Sequence, residues 1–269
     1  MLIAQITDCH IVAPGEVMAD RIDPAVGLRD AIGALRSIDE PIRLVLGTGD
    51  LVNDGRPDEY DRFEELLSGL ERPFVPIPGN HDDRGELRRR FERLPAGAPD
   101  DPIDHVVDLG ELRVVCLDTT IPGSHEGRLT ADQLAWLDAA LAERTDVPAL
   151  IAQHHPPFGS GLPFMELHAA FHSGPEEAVV VARHPHVTGI VCGHFHRAMH
   201  RPFAGTVATV APSTAVQMAL RLRSELARYA DEPTGFALHR LEDDSVVTHL
   251  VPTAPSVTWT PAWALDDAP

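Results

Sequence analysis

No apolar run in this chain approaches the roughly 18 residues needed to cross a membrane, so a helical span is excluded. The segment before Asp8 lacks a basic start and is too short for a secretory leader, and it runs straight into a candidate ligand. A cytoplasmic location is therefore expected. Cysteine is scarce: Cys9, Cys116 and Cys192 have no metal-knuckle spacing and sit in or beside strand-like runs. That excludes a disulfide framework and points to buried free thiols in a reducing compartment. Positive charge is also short, with 22 Lys and Arg against 41 Asp and Glu, a formal net charge of −19. Such a balance disfavours nucleic-acid polymers and anionic membranes as partners. Internal repeats and low-complexity segments are absent too.

What is present is an ordinary globular composition, 43% hydrophobic and 23% charged over 269 residues, enough for a sizeable core. Strand-like and helix-like segments alternate through the first two-thirds, the pattern of an α/β domain. Leu2–Thr7, Ile42–Leu46, Phe74–Ile77, Ala149–Ala152 and Val187–Cys192 read as strands. Leu28, Ile32, Leu35 and Ile38 repeat at helical spacing, and 57–70 reads as a helix with Phe63, Leu66, Leu67 and Leu70 on one face. Thr130 and Gln133 form a capping box ahead of Leu134, Leu137 and Leu141, and Ser173, Pro175 and Glu176 start another helix. Hairpins are expected across Gly110-Glu111 and Asp243-Asp244, and a strand over 206–210. The five arginines between Arg84 and Arg93, balanced by Glu86 and Glu92, read as a solvated helix face. Residues 252–269 hold four prolines and no periodicity, and read as a tail.

Five motifs carry the chemistry: Asp8-Cys9-His10, Gly49-Asp50, Gly79-Asn80-His81-Asp82, His154-His155-Pro156-Pro157 and Gly193-His194-Phe195-His196. Each follows an apolar run, which places all five at the same ends of strands in one sheet. Their donors are oxygen and nitrogen, the set that borderline-hard divalent cations take. Strand alternation puts Asp8 and His10 on one side and Cys9 on the other, and does the same for His194 and His196 around Phe195. A carboxylate at Asp50 can bridge two cations. The Asn80 oxygen is a neutral hard donor, and His81 beside it points toward a bound phosphate. Of the paired histidines only one can face the metals; His154 is the choice, with His155 packed or bonded behind it. The loops 14–22 and 158–164 flank the ligands and are candidate walls of a leaving-group pocket. His200 is a weaker candidate for the substrate's vicinity, and His125 falls among histidines expected at the surface.

With these residues the chain resembles the calcineurin-like metallophosphoesterases, whose pattern is D-x-H, G-D, G-N-H-[DE], H and G-H-x-H. The resemblance covers about residues 1–210 and is greatest to the bacterial class III cyclic-nucleotide phosphodiesterases and the related glycerophosphodiesterase. It implies an α/β fold of four αββα layers, two mixed sheets face to face with helices outside both. It implies one metal held by Asp8, His10, Asp50 and His196 and a second by Asp50, Asn80, His154 and His194, the metals being iron, manganese, zinc or cobalt. The implied reaction is hydrolysis of a small phosphodiester, a glycerophosphodiester or a 3′,5′-cyclic nucleotide, by in-line attack of a metal-bridging hydroxide. His81 would stabilise the transition state and protonate the leaving alkoxide, oriented by Asn53 or Asp82. Asn53 stands where the superfamily's protein phosphatases carry Asp, which lowers the odds of that activity. A phosphomonoesterase or nucleotide pyrophosphatase on the same centre is the alternative, and a scaffold that kept only the fold would normally have lost ligands. Residues 1–210 would form the catalytic domain and 211–269 its C-terminal extension, supplying final strands and a cap or dimerisation segment of a homo-oligomer.

Overall fold

The structure is a computed structural model that describes residues 1–254 and 257–261. Elements follow in chain order as β1 (Leu2–Ile6), α1 (Pro24–Arg36), β2 (Ile42–Thr48), α2 (Pro57–Leu67), β3 (Phe74–Ile77), α3 (Arg84–Arg90), β4 (His105–Asp108), β5 (Arg113–Leu117) and α4 (Ala131–Ala142). The second half comprises β6 (Ala149–Gln153), α5 (Pro163–His168), α6 (Gly174–Val181), β7 (Val187–Cys192), β8 (Met199–Phe203), β9 (Thr206–Val210), β10 (Gln217–Met218), β11 (Tyr229–Ala230), β12 (Gly235–Glu242) and β13 (Ser245–Pro252).

Two mixed sheets stack face to face. One has the order β13-β12-β1-β2-β3 and the other β4-β5-β6-β7-β9-β8. Ile3, Leu44, Leu46, Val75 and Ile77 of the first sheet meet Val114, Cys116, Leu150, Ala152 and Val191 of the second in a buried layer. The first sheet's outer face is covered by α1 and α2 through Leu28, Ile32, Leu35, Tyr60 and Phe63. α4, α5 and α6 cover the second through Leu137, Leu141, Met165, Val180 and Val181. Strands buried on both faces explain the near-continuous apolar runs. The α/β αββα fold is therefore the one expected, but the five motif-bearing strands divide between the sheets. β1, β2 and β3 belong to one and β6 and β7 to the other, so the single-sheet reading is corrected. An apolar run reports burial, which is the same in either sheet.

Local chemistry sets the element ends. Asp23 caps α1 by accepting from Ala25 N at 3.1 Å, with Pro24 at the first helical position. The Thr130–Gln133 capping box starts α4. Asp243 and Asp244 both take positive φ, 45° and 60°, which closes the β12–β13 hairpin as a two-residue turn. α2 stops at Leu67 rather than 70, ahead of Ser68 and Gly69. β13 runs to Pro252 and Thr253 is buried, its N–H on Thr234 O at 2.9 Å, so the tail does not begin at 252. Val257 and Trp259 are exposed, while residues 255–256 and 262–269 of that expected tail lie outside the described residues.

Of the five arginines between Arg84 and Arg93, Arg89 and Arg93 are exposed as expected, but Arg84, Arg88 and Arg90 are not a solvated face. Arg84 is buried and makes a bidentate pair with Asp118, Nε to Oδ2 at 2.7 Å and Nη2 to Oδ1 at 3.1 Å. Arg88 donates to the carbonyls of Ala98 and Asp101 at 2.8 and 2.7 Å. Arg90 reaches Asp61 and Glu64 and lies over the Tyr60 ring. Charge alternation along a helix signals pairing as readily as solvation, and here tertiary partners take up the guanidinium groups. Among the described residues no helix is long and apolar enough to cross a membrane.

Candidate metal centre

The five motifs begin within three residues of the ends of β1, β2, β3, β6 and β7, where the two sheets open at one edge. The backbone there is not extended. Asp8, His10, Asp50, His194 and His196 have φ of 50°, 45°, 51°, 73° and 47°. Strand alternation therefore does not aim these side chains. Left-handed turns do, at a cost of roughly 1–3 kcal/mol each that the surrounding packing must hold in place. Cys9 does point elsewhere, into the core behind the first sheet. The glycines permit the crowding. Gly49 has φ 91° and lies against the His154 ring, and a Cβ on Gly193 would sit 2.8 Å from Asp8 Oδ2 and 3.0 Å from Thr48 O.

Two donor sets result. Asp8, His10, Asp50 and His196 converge with all donor atoms within 4.8 Å of one another. Within that set His10 Nε2 lies 3.0 Å from His196 Nε2 and 3.5 Å from Asp50 Oδ2, and His196 Nε2 lies 3.5 Å from Asp8 Oδ1. In the second set His154 Nε2 lies 3.3 Å from Asp50 Oδ2, 3.1 Å from Asn80 Oδ1 and 3.2 Å from His194 Nδ1. Asp50 thus borders both sets. All of these side chains except Asn80 are buried.

The tautomers decide what the sets can hold. His154 Nδ1 donates to Thr48 O at 2.8 Å, His194 Nε2 to Ala169 O at 2.8 Å and His196 Nδ1 to Val216 O at 3.0 Å. A carbonyl only accepts, so the proton of each ring is committed there and the other nitrogen turns a lone pair inward. Lone pairs, two carboxylates and an amide oxygen at such distances repel unless a cation lies among them. The residues therefore fit two divalent ions with N/O ligation. In the protein alone a proton must serve instead. Burial lowers His154, but Asp50 and Asp8 more than offset it and lift the ring to about 9. Burial takes His194 down to about 3 and His10 well below its ordinary value. Burial pushes Asp50 up, yet His154, His81 and His10 together hold it well below the usual carboxylate range.

His81 N donates to Asp50 Oδ1 at 2.9 Å, and its ring packs edge-on to His10 with centroids 4.7 Å apart. Its Nδ1 lies 2.5 Å from the backbone carbonyl of Asn53, leaving Nε2 for the cavity. Neither candidate side chain orients it. The Asn53 amide turns to Asp54, and the Asp82 carboxylate accepts from Gly79 N, Leu51 N and Tyr60 Oη at 2.9–3.2 Å, tying the Asp50 and Asn80 loops together. Burial and then Asp50 raise Asp82 to about 7. A backbone acceptor leaves no trace in the residue type, which is why the sequence pointed to the wrong atoms.

A cavity of about 460 Å³ opens over both sets. Val17, Met18 and Ala19 form one wall and Phe164, Met165 and His168 another, so both flanking loops contribute. Met218 and Tyr229, from the β10–β11 ribbon, form a third; both lie in the C-terminal extension, where neither residue stood out in the sequence. The same segment buttresses the ligands, since Ser213 Oγ donates to Asp8 O at 2.8 Å and Met218 N to His196 O at 2.9 Å. His125 also lines the cavity, whereas His200 lines a separate one between the sheets.

Residues 1–198 match the family model of the calcineurin-like phosphoesterases. The chain belongs to this family. A probable glycerophosphodiester phosphodiesterase of Arcobacter nitrofigilis is 30% identical over 93% of this chain and 92% of its own length. A probable cyclic nucleotide phosphodiesterase of Rhodococcus erythropolis is 32% identical over 95% of this chain and 85% of its own. Among solved structures, a dimetal phosphatase from Danio rerio superposes with a TM-score of 0.70 at 19% identity, covering 94% of this chain and 96% of that one. This calcineurin-like phosphoesterase is thus a metal-dependent phosphodiester hydrolase with residues for two divalent ions.

Proposed function

We propose that this enzyme hydrolyses small phosphodiesters, with 3′,5′-cyclic nucleotides preferred over glycerophosphodiesters. The observation that carries the preference is the wall of the 460 Å³ cavity, which among the described residues has Asp50 as its only carboxylate and no guanidinium. A cationic ethanolamine headgroup finds no free anion there, and a phosphomonoester dianion finds no arginine. A flat, uncharged nucleoside suits Phe164, His168, Met218 and Tyr229. The similarity to the Arcobacter protein keeps the glycerol diester as the second reading.

In this reading Asp8, His10, Asp50 and His196 hold one cation and Asp50, Asn80, His154 and His194 the other, with iron, manganese, zinc and cobalt as candidates. When bound, the pair supplies a nucleophilic water at neutral pH and neutralises charge on the phosphate oxygens. His154, His194 and His196 are each fixed by the carbonyl that takes the ring's other proton, so these three donors need little reorganisation. His81, held through Nδ1, presents Nε2 to the phosphoryl group. As the imidazolium it gives a proton to the leaving alkoxide. Asn53 contributes its carbonyl, and Asp82 braces the two loops. The described residues of the 211–269 extension complete the domain built by 1–210. We place the enzyme in the cytoplasm, as a homo-oligomer; light scattering at micromolar concentration reads the latter, and a monomer refutes it.

The deciding experiment compares kcat/KM of manganese-reconstituted enzyme on 3′,5′-cyclic AMP and on glycerophosphoethanolamine. A buried ring gained or a cation left unpaired is worth over ~1.4 kcal/mol, so about tenfold or more in favour of the cyclic nucleotide is expected. The reverse preference selects the glycerol diester. Turnover of monoesters or pyrophosphates alone selects the alternative.

A further inference from the structure

His155 stands beside a ligand, its ring centroid 4.3 Å from that of His194, and its nitrogen lies within 4.8 Å of those of His154 and His194, yet both of its nitrogens are engaged elsewhere. Its Nδ1 meets Thr119 Oγ1 at 2.8 Å and its Nε2 meets the carbonyl oxygen of His125 at 3.2 Å. The carbonyl can only accept, so the His155 proton sits on Nε2 and Nδ1 accepts from the Thr119 hydroxyl. Both ring nitrogens are thereby used, and the side chain serves as an anchor for the loop that carries His125. Gly127 packs against the same ring, where a Cβ would lie 2.6 Å from Nδ1, and its N–H donates to Ala170 O at 2.9 Å.

The anchored loop delivers His125 to Asn80. Asn80 Oδ1 faces His154 Nε2 at 3.1 Å, while Asn80 Nδ2 lies 2.9 Å from His125 Nδ1. An amide nitrogen only donates, so His125 Nδ1 must accept and its proton sits on Nε2. We infer that His125 is a positioning residue for the second cation, locking the Asn80 amide with its oxygen turned inward while Thr119 and His155 hold His125 in place. Like the imidazoles, the Asn80 amide can present the wrong atom, because flipped it offers an N–H2 where an oxygen is required. An acceptor on the far side of the amide removes that alternative. Nothing in the local sequence marks the pairing, since His125 lies 45 residues from Asn80.

The inference rests on the two-cation reading, so its test carries a control for that reading. Mn²⁺ binding to the full-length protein is measured by equilibrium dialysis and calorimetry for wild type, His125→Ala, His125→Asn and Asn80→Ala. His125 is exposed, and thermal unfolding confirms that each variant is folded. His125→Ala should weaken the second Mn²⁺ by about tenfold or more, the usual effect of removing a group that orients a ligand, and leave the first unchanged. His125→Asn should restore most of that loss, because its Oδ1 lies near the position of Nδ1 and accepts. Wild-type affinity at both sites in His125→Ala, equal weakening of both, or no rescue by Asn would each overturn the assignment. An Asn80→Ala variant that keeps both ions at wild-type affinity would refute Asn80 as a ligand and the inference with it, whereas wild-type protein that binds fewer than two Mn²⁺ would instead refute the two-cation reading itself.

Discussion

Glu177, fully buried on α6, should make this protein less stable as pH rises, and Glu177→Gln should abolish the effect. Its Oε2 lies 3.3 Å from Gln153 Nε2, while Glu177 Oε1 and Gln153 Oε1 are both buried with no partner among the described residues. A proton on Glu177 supplies the donor that those two oxygens lack, completing a carboxylic acid–amide pair. Burial accordingly raises the carboxyl from 4.5 to about 8. A carboxyl raised by folding binds its proton more tightly in the folded than in the unfolded state. The stabilisation is therefore complete below about pH 4.5, falls as pH rises, and is gone above about 8. At ~1.4 kcal/mol per pH unit the full gap corresponds to about 5 kcal/mol, and water entry reduces it to about 2–5. Glutamine keeps the shape and supplies the N–H without a charge. Urea unfolding of both proteins at half-unit steps from pH 5 to 9 should give curves that converge at pH 5 and separate by ~2–5 kcal/mol at pH 9, with the variant the more stable. Parallel curves, or a variant less stable at pH 9, would refute the reasoning.

Asp50→Ala should lose both ions and all turnover, since Asp50 borders both donor sets, while His81→Ala should keep the ions and lose turnover most on substrates with poor leaving groups. Metal content and kcat on alkyl and nitrophenyl diesters check both, and near-wild-type rates for His81→Ala on the alkyl diester would remove its assigned role. Arg84→Ala strands the buried Asp118 carboxylate and should cost about 3–5 kcal/mol in urea unfolding, against under 1 kcal/mol if the pair is dispensable. Tyr229→Ala should raise KM for a cyclic nucleotide severalfold with a smaller change in kcat. An unchanged KM would show that the β10–β11 ribbon does not touch the nucleoside.

The strands were legible because burial between two sheets demands continuous apolar runs, and α1 and α4 because Asp23, Thr130 and Gln133 carry their caps in the side chain. β8, β10 and β11 were missed, being an edge strand and a two-residue ribbon whose residues have little pattern to offer. Arg84 and Arg90 of α3 misled for a related reason, since Asp118, Asp61 and Glu64 are remote in sequence and local charge cannot report them.

By itself the sequence picked out the candidate donors, because Asp, Asn and His in those five strand-end motifs are residue types that borderline-hard cations take. It also determined the family and with it the layered fold. The tertiary structure alone decided how the donors are aimed. Left-handed turns, not strand alternation, direct Asp8, His10, Asp50, His194 and His196. The carbonyls of Thr48, Ala169, Val216 and Asn53, each indifferent to its own side chain, select which nitrogen of His154, His194, His196 and His81 is free. Residue type is written in the sequence, but the proton on an imidazole is placed by whichever backbone oxygen the fold brings beside it.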